Sequence, residues 1–332
     1  MKHFVLFSAF AILIFSSCSD APKQKYQPES IGAVNTLTVV MEDALWKGAV
    51  GDAVREKFAA PVVGLVWSDE PLFTINYVPT KVFKGALKQT RAILLVAVDT
   101  VTVGHVKNEV YARPQKVGVI KAATESLLID KIEEEADAMI TAFKSAEIVT
   151  AQKRFLRSIS KETALRDRFG FELTMPSMYK VGKKDSNFVW IDRQIQRGTL
   201  NMIAYTVPGD YFKADSTLVQ DIIGLRDSIG ERYIPGPDVP NKKTFMITEK
   251  AFAPNVFPAE INGFKGVEVR GIWEISGYAM AGPYLMYILN DTANDRKIVL
   301  EGFTFAPSAE KRDYMFELEA ILKTIKPVSA AN

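Results

Sequence analysis

The sequence predicts an α+β protein of two domains, a βαβ-like N-terminal unit and a C-terminal antiparallel sheet with helices on one face. Two observations predict this division. The first half alternates apolar strand-like runs with helical patterns, whereas short strands separated by turn residues dominate from residue 171 onwards. The length of 332 residues also exceeds the usual size of one domain.

The predicted N-terminal domain spans residues 33–145. A helix is predicted over residues 46–58, where Val50, Val54 and Phe58 recur at helical spacing, and another over residues 124–143. Strands are predicted where the chain is β-rich, alternating or continuously apolar, at residues 35–41, 72–78 and 92–98.

Residues 146–170 predict a helical connector between the two domains. This stretch is charged but carries apolar residues at helical spacing, and Gly170 is well placed to end the helix. Two separate helices are therefore expected between residues 124 and 168.

The predicted C-terminal domain spans residues 171–327. Two amphipathic helices are expected, over residues 216–233 and over residues 310–325, with Ser308 as the N-cap of the second. A turn rich in Asn and Asp separates the last two strands. Strands are predicted at residues 171–174, 187–192, 199–207, 244–248, 267–276, 283–289 and 298–305.

The first residues have the pattern of a lipoprotein signal peptide. A short basic start precedes an apolar run over residues 4–15, which is too short to span a bilayer. Small residues then lead to Cys18, and this order resembles a bacterial lipobox. We therefore expect residues 1–17 to be removed, Cys18 to carry acyl chains, and residues 18–32 to form a flexible tether.

The expected location is the cell envelope, at the periplasmic face of the outer membrane. Some Bacteroidetes lipoproteins carry an acidic run after the cysteine that directs them to the cell surface. Here Asp20 stands alone and Lys23 and Lys25 follow it, so the periplasmic face is favoured. The expected partners are the lipid bilayer, through acylated Cys18, and another envelope protein or a glycan.

Composition excludes several classes of function. Forty-one Lys and Arg face 39 Asp and Glu, which argues against a nucleic-acid partner. Cys18 is the single cysteine, and once the signal peptide is gone His105 is the single histidine, so a zinc site of His or Cys ligands is excluded. We expect no cofactor and no metal, and we expect His105 to lie in an exposed loop.

No phosphate-binding loop, metalloprotease motif or nucleophile elbow occurs in the chain. Residues 270–283 are the densest unusual segment, combining Arg, Trp and Glu with glycines and a proline beside an aromatic, an arrangement typical of ligand mouths. The predicted binding surface comprises Arg113, Gln115, Arg226, Asp227, Arg270, Trp273 and Glu274.

Strand alternation places Arg270 and Glu274 on one face and Trp273 on the other, so Glu274 can pair with Arg270 or with Arg226. The open alternative is a buried ion pair with a core tryptophan, which would make this segment structural. Among short Asp-Ser/Thr triplets, the one that contains Thr292 is the best candidate for bacterial O-glycosylation because it lies in an exposed hairpin.

The Arg-Gly-x-Trp-Glu segment at residues 270–274, the lipobox and segments such as residues 303–312 together resemble a family of Bacteroidetes lipoproteins known as a domain of unknown function. The resemblance covers residues 35–325 and supplies no catalytic residues. It implies an envelope location. We therefore expect a non-enzymatic binding or assembly module, and the alternative is an envelope-polymer hydrolase that uses paired carboxylates such as Glu274 and Asp227.

Overall fold

The computed structural model describes residues 26–65, 70–212 and 215–328. The predicted signal peptide, Cys18 and the first part of the predicted tether lie outside these residues. The predicted α+β class and two-domain layout are confirmed, with an α/β region followed by a curled antiparallel sheet. Within the described residues, no helix has the length and apolar character needed to cross a membrane.

The N-terminal domain is a five-stranded sheet with helices on one face. Its strands are β1 (Thr36–Met41), β2 (Thr74–Pro79), β3 (Ala92–Val98), β4 (Val103–Asn108) and β5 (Lys116–Ala122). Its helices are α1 (Asp43–Lys47), α2 (Ala49–Phe58) and α3 (Glu125–Phe155). The strand order is β2-β1-β3-β5-β4, and β4 alone pairs in the antiparallel sense. Because α2 joins the parallel strands β1 and β2, the predicted βαβ unit is present.

The helical stretch between the domains differs from the prediction. Residues 125–155 contain no glycine or proline, and α3 runs through them as one helix that begins at the Thr124 cap. A short helix α4 (Ala164–Phe169) follows after a break at residues 156–163 and ends at Gly170, whose φ of +74° only glycine adopts readily. The end of the helix at Gly170 was therefore predicted correctly, whereas the position of the break was not.

The C-terminal domain contains a curled sheet in the order β10-β12-β13-β14-β9-β8-β7, with β11 also paired to β12 and every pair antiparallel. Its strands are β6 (Phe171–Glu172), β7 (Lys180–Asp185), β8 (Phe188–Ile195), β9 (Gly198–Pro208), β10 (Met246–Thr248), β11 (Asn255–Ile261), β12 (Phe264–Ile275), β13 (Tyr278–Asp291), β14 (Arg296–Phe305) and β15 (Lys326–Pro327). Its two long helices are α5 (Leu218–Tyr233) and α6 (Arg312–Leu322).

Helices cover both faces of this sheet rather than one. Along β13, Tyr284, Met286 and Ile288 pack with α5, whereas Leu285 and Tyr287 on the other face belong to the core that contains α6. The second half of α3 joins that same core. Both faces of the central strands are therefore buried.

The start of α6 depends on the other domain. Ser308 does not cap the helix as predicted, because the helix begins only at Arg312 and Ser308 adopts a left-handed φ of +60°. The buried carboxylate of Glu70 instead accepts hydrogen bonds from the backbone amides of Lys311 and Arg312, at 2.8 and 2.5 Å. An acceptor from the N-terminal domain thus satisfies amides that a helix leaves unpaired at its start.

Packing of α3 against α6 joins the two domains. Ile148, Ala151 and Phe155 lie in the same apolar core as α6, and the Gln152 amide donates to the carbonyl of Ala320 at 3.0 Å. Where this contact opens towards solvent, it leaves a cleft between the domains.

Candidate functional site

The seven residues of the predicted binding surface lie in three separate places. Two belong to the N-terminal domain, and the other five are divided between the two faces of the C-terminal sheet. The sets are Arg113 and Gln115; Arg226, Asp227 and Trp273; and Arg270 and Glu274.

Arg113 and Gln115 serve the N-terminal domain itself. Arg113 is exposed and ion-pairs with Glu109 at 2.8 Å. Gln115 is buried, and its amide nitrogen donates to the carbonyls of Lys88 and Thr90, both at 2.7 Å, while its amide oxygen accepts from the Tyr111 backbone at 2.8 Å. The Gln115 amide is thus engaged by the backbone and is not presented to a ligand.

Arg226 forms a buried ion pair beneath α5. Its guanidinium donates to Glu301 at 2.7 Å and lies 3.9 Å from the centre of the Tyr284 ring. Trp273 is buried on this same face, and the Asp227 carboxylate accepts from the Thr248 backbone amide at 2.7 Å. Burial raises the pKa of Glu301, although the Arg226 cation opposes this effect. Neither Arg226 nor Trp273 can belong to a surface.

Arg270 lies on the opposite face and makes two ion pairs. It donates to Glu268 at 2.6 Å and to Glu319 of α6 at 2.8 Å, and the Tyr287 hydroxyl donates to Glu268 at 2.8 Å. The predicted pairing of Glu274 with Arg270 or Arg226 does not occur, because both arginines are held by other carboxylates.

Glu274 and Asp227 do not share a groove. Glu274 directly follows Trp273 along β12 and therefore points to the opposite face of the sheet. Asp227 belongs to the helix that covers the Trp273 face. The sheet separates these two acids, so they do not form the carboxylate pair that glycoside hydrolysis needs.

The ion pairs of Arg270 lie beside the cleft between the domains. This cleft has a volume of about 450 Å³, within the range of ligand-binding sites. It combines apolar side chains with amide, hydroxyl and charged groups. The lining residues are Ile140, Thr141, Lys144, Ser145, Ile148, Val149, Gln152, Glu260, Ile261, Asn262, Glu319 and Lys323.

Lys144 is the most perturbed cation of the cleft. Its ammonium donates to the Asn35 side chain at 2.9 Å and to the Leu72 carbonyl at 2.8 Å, and it lies 4.7 Å from the centre of the Phe73 ring. Burial lowers the pKa of Lys144 to about 8, and the neighbouring cation Arg312 adds to this effect.

Glu319 is the corresponding anion. Burial alone would raise the pKa of Glu319, but the ion pairs with Arg270 and Lys323 hold it at about 2. A charged carboxylate and an unusually acidic ammonium therefore line one cleft. Such perturbed groups are common at functional sites.

Lys144 and Glu319 were missed from the sequence. Each is a charged residue at a position where the helical spacing of apolar residues predicts an apolar one. Lys144 lies four residues from both Ile140 and Ile148, and Glu319 follows Met315 by four residues. A charge on an apolar stripe was the available signal. It could not have indicated that the two stripes meet.

The structure also describes the possible metal ligands, as well as His105 and Thr292. Within the described residues, no group of three or more His, Cys, Asp or Glu is arranged to hold a metal ion. His105 lies in β4 rather than in a loop. Thr292 is exposed in the short turn between β13 and β14, and its glycosylation stays a prediction.

Two family models match the chain. Residues 158–324 match a domain of unknown function, DUF4837, and residues 30–156 match a second one, DUF8532. These matches confirm a resemblance to domains of unknown function, although two models divide the range that was predicted to belong to one family. No curated protein matches the sequence.

Solved structures give weak likenesses. The Ran-binding protein Mog1p of Saccharomyces cerevisiae is 9% identical, with a TM-score of 0.31, covering 48% of this chain and 90% of that one. A mutant of protein Mog1 is also 9% identical, with a TM-score of 0.28, covering 48% and 91%. At these TM-scores the likeness carries no argument about this chain.

Proposed function

We propose a function for this chain, which belongs to the DUF4837 family, a domain of unknown function. The protein is a membrane-anchored lipoprotein of the cell envelope whose body binds a partner. The binding site is the interdomain cleft, and the anchor is acylated Cys18. The protein acts as a binding or assembly module at the periplasmic face of the outer membrane. The sequence around Cys18, which resembles a bacterial lipobox, supports this location.

The observation that carries the proposal is the composition of the cleft. Ile140, Ile148 and Val149 offer apolar contact. The amide nitrogens of Gln152 and Asn262 donate to backbone carbonyls of the domain itself, so it is their amide oxygens that are offered as acceptors beside these apolar side chains. An extended peptide requires this combination, because its backbone needs hydrogen bonds and its side chains need apolar contacts. A segment of another envelope protein is therefore the favoured occupant, and a glycan is the alternative.

A photo-crosslinking residue at Val149 tests the cleft in intact cells. Val149 lines the cleft and is 49% exposed, so we expect an adduct with a peptide partner. The matched control is Leu156, which directly follows the same helix, is 62% exposed and does not line the cleft. Gln152→Ala should weaken the adduct at Val149. Equal adducts at both positions would contradict a site in the cleft, and an adduct that carries sugar would identify the glycan alternative.

Replacing Cys18 tests the anchor. We expect Cys18→Ala to lose incorporation of radiolabelled fatty acid. When the signal peptide of this variant carries a conventional cleavage site, so that it is still removed, we expect the protein to move from the membrane fraction to the soluble fraction. More than one acyl chain suffices for stable anchoring, so the loss should be nearly complete. Ser17→Ala, which keeps the thiol and a small residue before it, is the control. A Cys18→Ala chain that remains membrane-bound to the same extent would contradict the anchor.

A further inference from the structure

Three segments of the N-terminal domain form one surface near the predicted anchor. They are residues 26–32, 80–90 and 109–116, called the basic face below. The Ser30 amide donates to the Arg113 carbonyl and the Ile31 amide to the Gln89 carbonyl, both at 2.9 Å. Gln115 joins the second segment to the third through the Thr90 carbonyl at 2.7 Å. The three segments are thus fixed to one another, so residues 26–32 belong to the domain and not to the flexible tether that was predicted to extend to residue 32.

The basic face is more cationic than the chain as a whole. It carries five Lys or Arg side chains and two Glu, an excess of three positive charges, whereas the entire chain of 332 residues has an excess of two. Residues 71–98 contain no Asp or Glu. Lys81 and Lys84 are exposed, and Glu109 is already paired with Arg113.

Exposed apolar side chains alternate with these cations. Single exposed apolar residues need no explanation, but here several lie within three bonded segments. The side chains concerned are 37% to 87% exposed, and they are Tyr26, Ile31, Val82, Leu87 and Val110. Cations mixed with apolar side chains fit the boundary between lipid headgroups and acyl chains.

The length of the chain before the basic face limits its distance from the bilayer. Tyr26 is eight residues after Cys18, and eight residues reach at most ~29 Å when fully extended. A body of this length has a diameter of roughly 50 Å. If Cys18 is anchored, Tyr26 must therefore lie within ~29 Å of the bilayer, which excludes orientations that place it on the far side of the body and favours those in which its side faces the membrane.

We propose that the basic face rests on anionic phospholipid headgroups of the membrane that holds Cys18. The inference depends on the proposed anchor for its geometry, while the charge and the exposed apolar residues of the face stand independently. Lysines close to an anionic surface strengthen binding about fivefold each. The acyl chains then retain the protein, and the basic face orients it.

Sedimentation with vesicles tests the face without the acyl chains. Residues 19–332 include every residue that the structure describes, and this chain is mixed with vesicles of phosphatidylcholine alone or with an equal part of phosphatidylglycerol. We expect binding to the anionic vesicles, loss of that binding at high salt, and a decrease of at least about 25-fold for Lys81→Glu with Lys84→Glu. Lys88 is left unchanged because its ammonium lies over the Tyr111 ring.

The control carries the same change of charge elsewhere. Lys184→Glu with Lys250→Glu alters two exposed lysines of the C-terminal domain, and we expect it to keep most of the binding. Circular dichroism checks that both double variants are folded. Equal binding to neutral and anionic vesicles, absence of binding, or an equal loss in the control would overturn the proposal. Fatty-acid incorporation at Cys18 is measured separately, so failure of the anchor and failure of the face are distinguishable.

Discussion

Replacing Glu301 by leucine is expected to lower the free energy of unfolding of the C-terminal domain by about 3–5 kcal/mol. Glu301 and Arg226 are both buried, with a closest approach of 2.7 Å. Removing the carboxylate leaves a guanidinium in an apolar core, and arginine cannot lose its proton to escape the cost. Urea denaturation followed by circular dichroism measures the loss.

The double variant separates charge from packing. Arg226→Met with Glu301→Leu should recover most of the loss and come within about 1 kcal/mol of the parent, since an apolar pair of similar volume can replace a buried ion pair. Glu231→Leu is the matched control, because Glu231 and Lys243 form an exposed pair and its loss should cost about 0.5 kcal/mol or less. A double variant as unstable as Glu301→Leu would show that shape, rather than the uncompensated charge, decides the cost.

The sequence predicted the fold class well because its strongest signals are local. The stripe through Val50, Val54 and Phe58 is buried as expected, and so is most of the apolar run that begins at Ala92, although Val98 at its end is exposed. Of the strands it missed, β5 is largely buried and has an apolar sequence, whereas two others have weak local signals. Strand β7 is a largely exposed edge strand with three lysines, and β11 is another edge strand and contains Pro258.

The predicted binding surface was wrong because helices cover both faces of the C-terminal sheet. With helices on a single face, either Arg270 or Trp273 would face solvent, because they alternate along β12. Instead α5 covers the Trp273 face and α6 covers the Arg270 face, so Trp273 is buried and only 17% of the Arg270 side chain is exposed. The alternative predicted from the sequence, a buried ion pair beside a core tryptophan, is closer to the structure. Arg226 forms a buried ion pair on the same face as Trp273, but the acid of this pair is Glu301 and not Glu274.

The interdomain cleft could not be predicted in the same way. Lys144 and Glu319 are 175 positions apart and belong to helices of different domains. Their proximity depends on the packing of α3 against α6, and side chains such as Ile148 that form this contact look like ordinary core residues in the sequence. Local periodicity identifies which face of a helix is buried, but it does not identify the neighbour.

Arg270→Met is expected to destabilise the C-terminal domain by about 3 kcal/mol at neutral pH, because it leaves Glu268 and Glu319, whose side chains are only 15% and 17% exposed, without their shared cation. The loss should depend on pH. In the folded chain Glu319 has a pKa of about 2 instead of the ordinary 4.5, so its contribution is complete above about pH 4.5 and is lost as the pH falls towards 2. That difference in pKa corresponds to about 3 kcal/mol.

The difference between the parent and Arg270→Met should therefore be constant from pH 7 to about 5 and should narrow below pH 4.5, where protonation of Glu319 removes the charge that Arg270 compensates. Lys323→Met is the control: Lys323 also pairs with Glu319 but is 32% exposed, so its loss should cost about 1 kcal/mol or less. Urea titrations at each pH measure both variants. A difference that stays the same down to pH 2 would mean that Arg270 stabilises the domain through the packing of its side chain, and the wall of the cleft would then not depend on this ion pair.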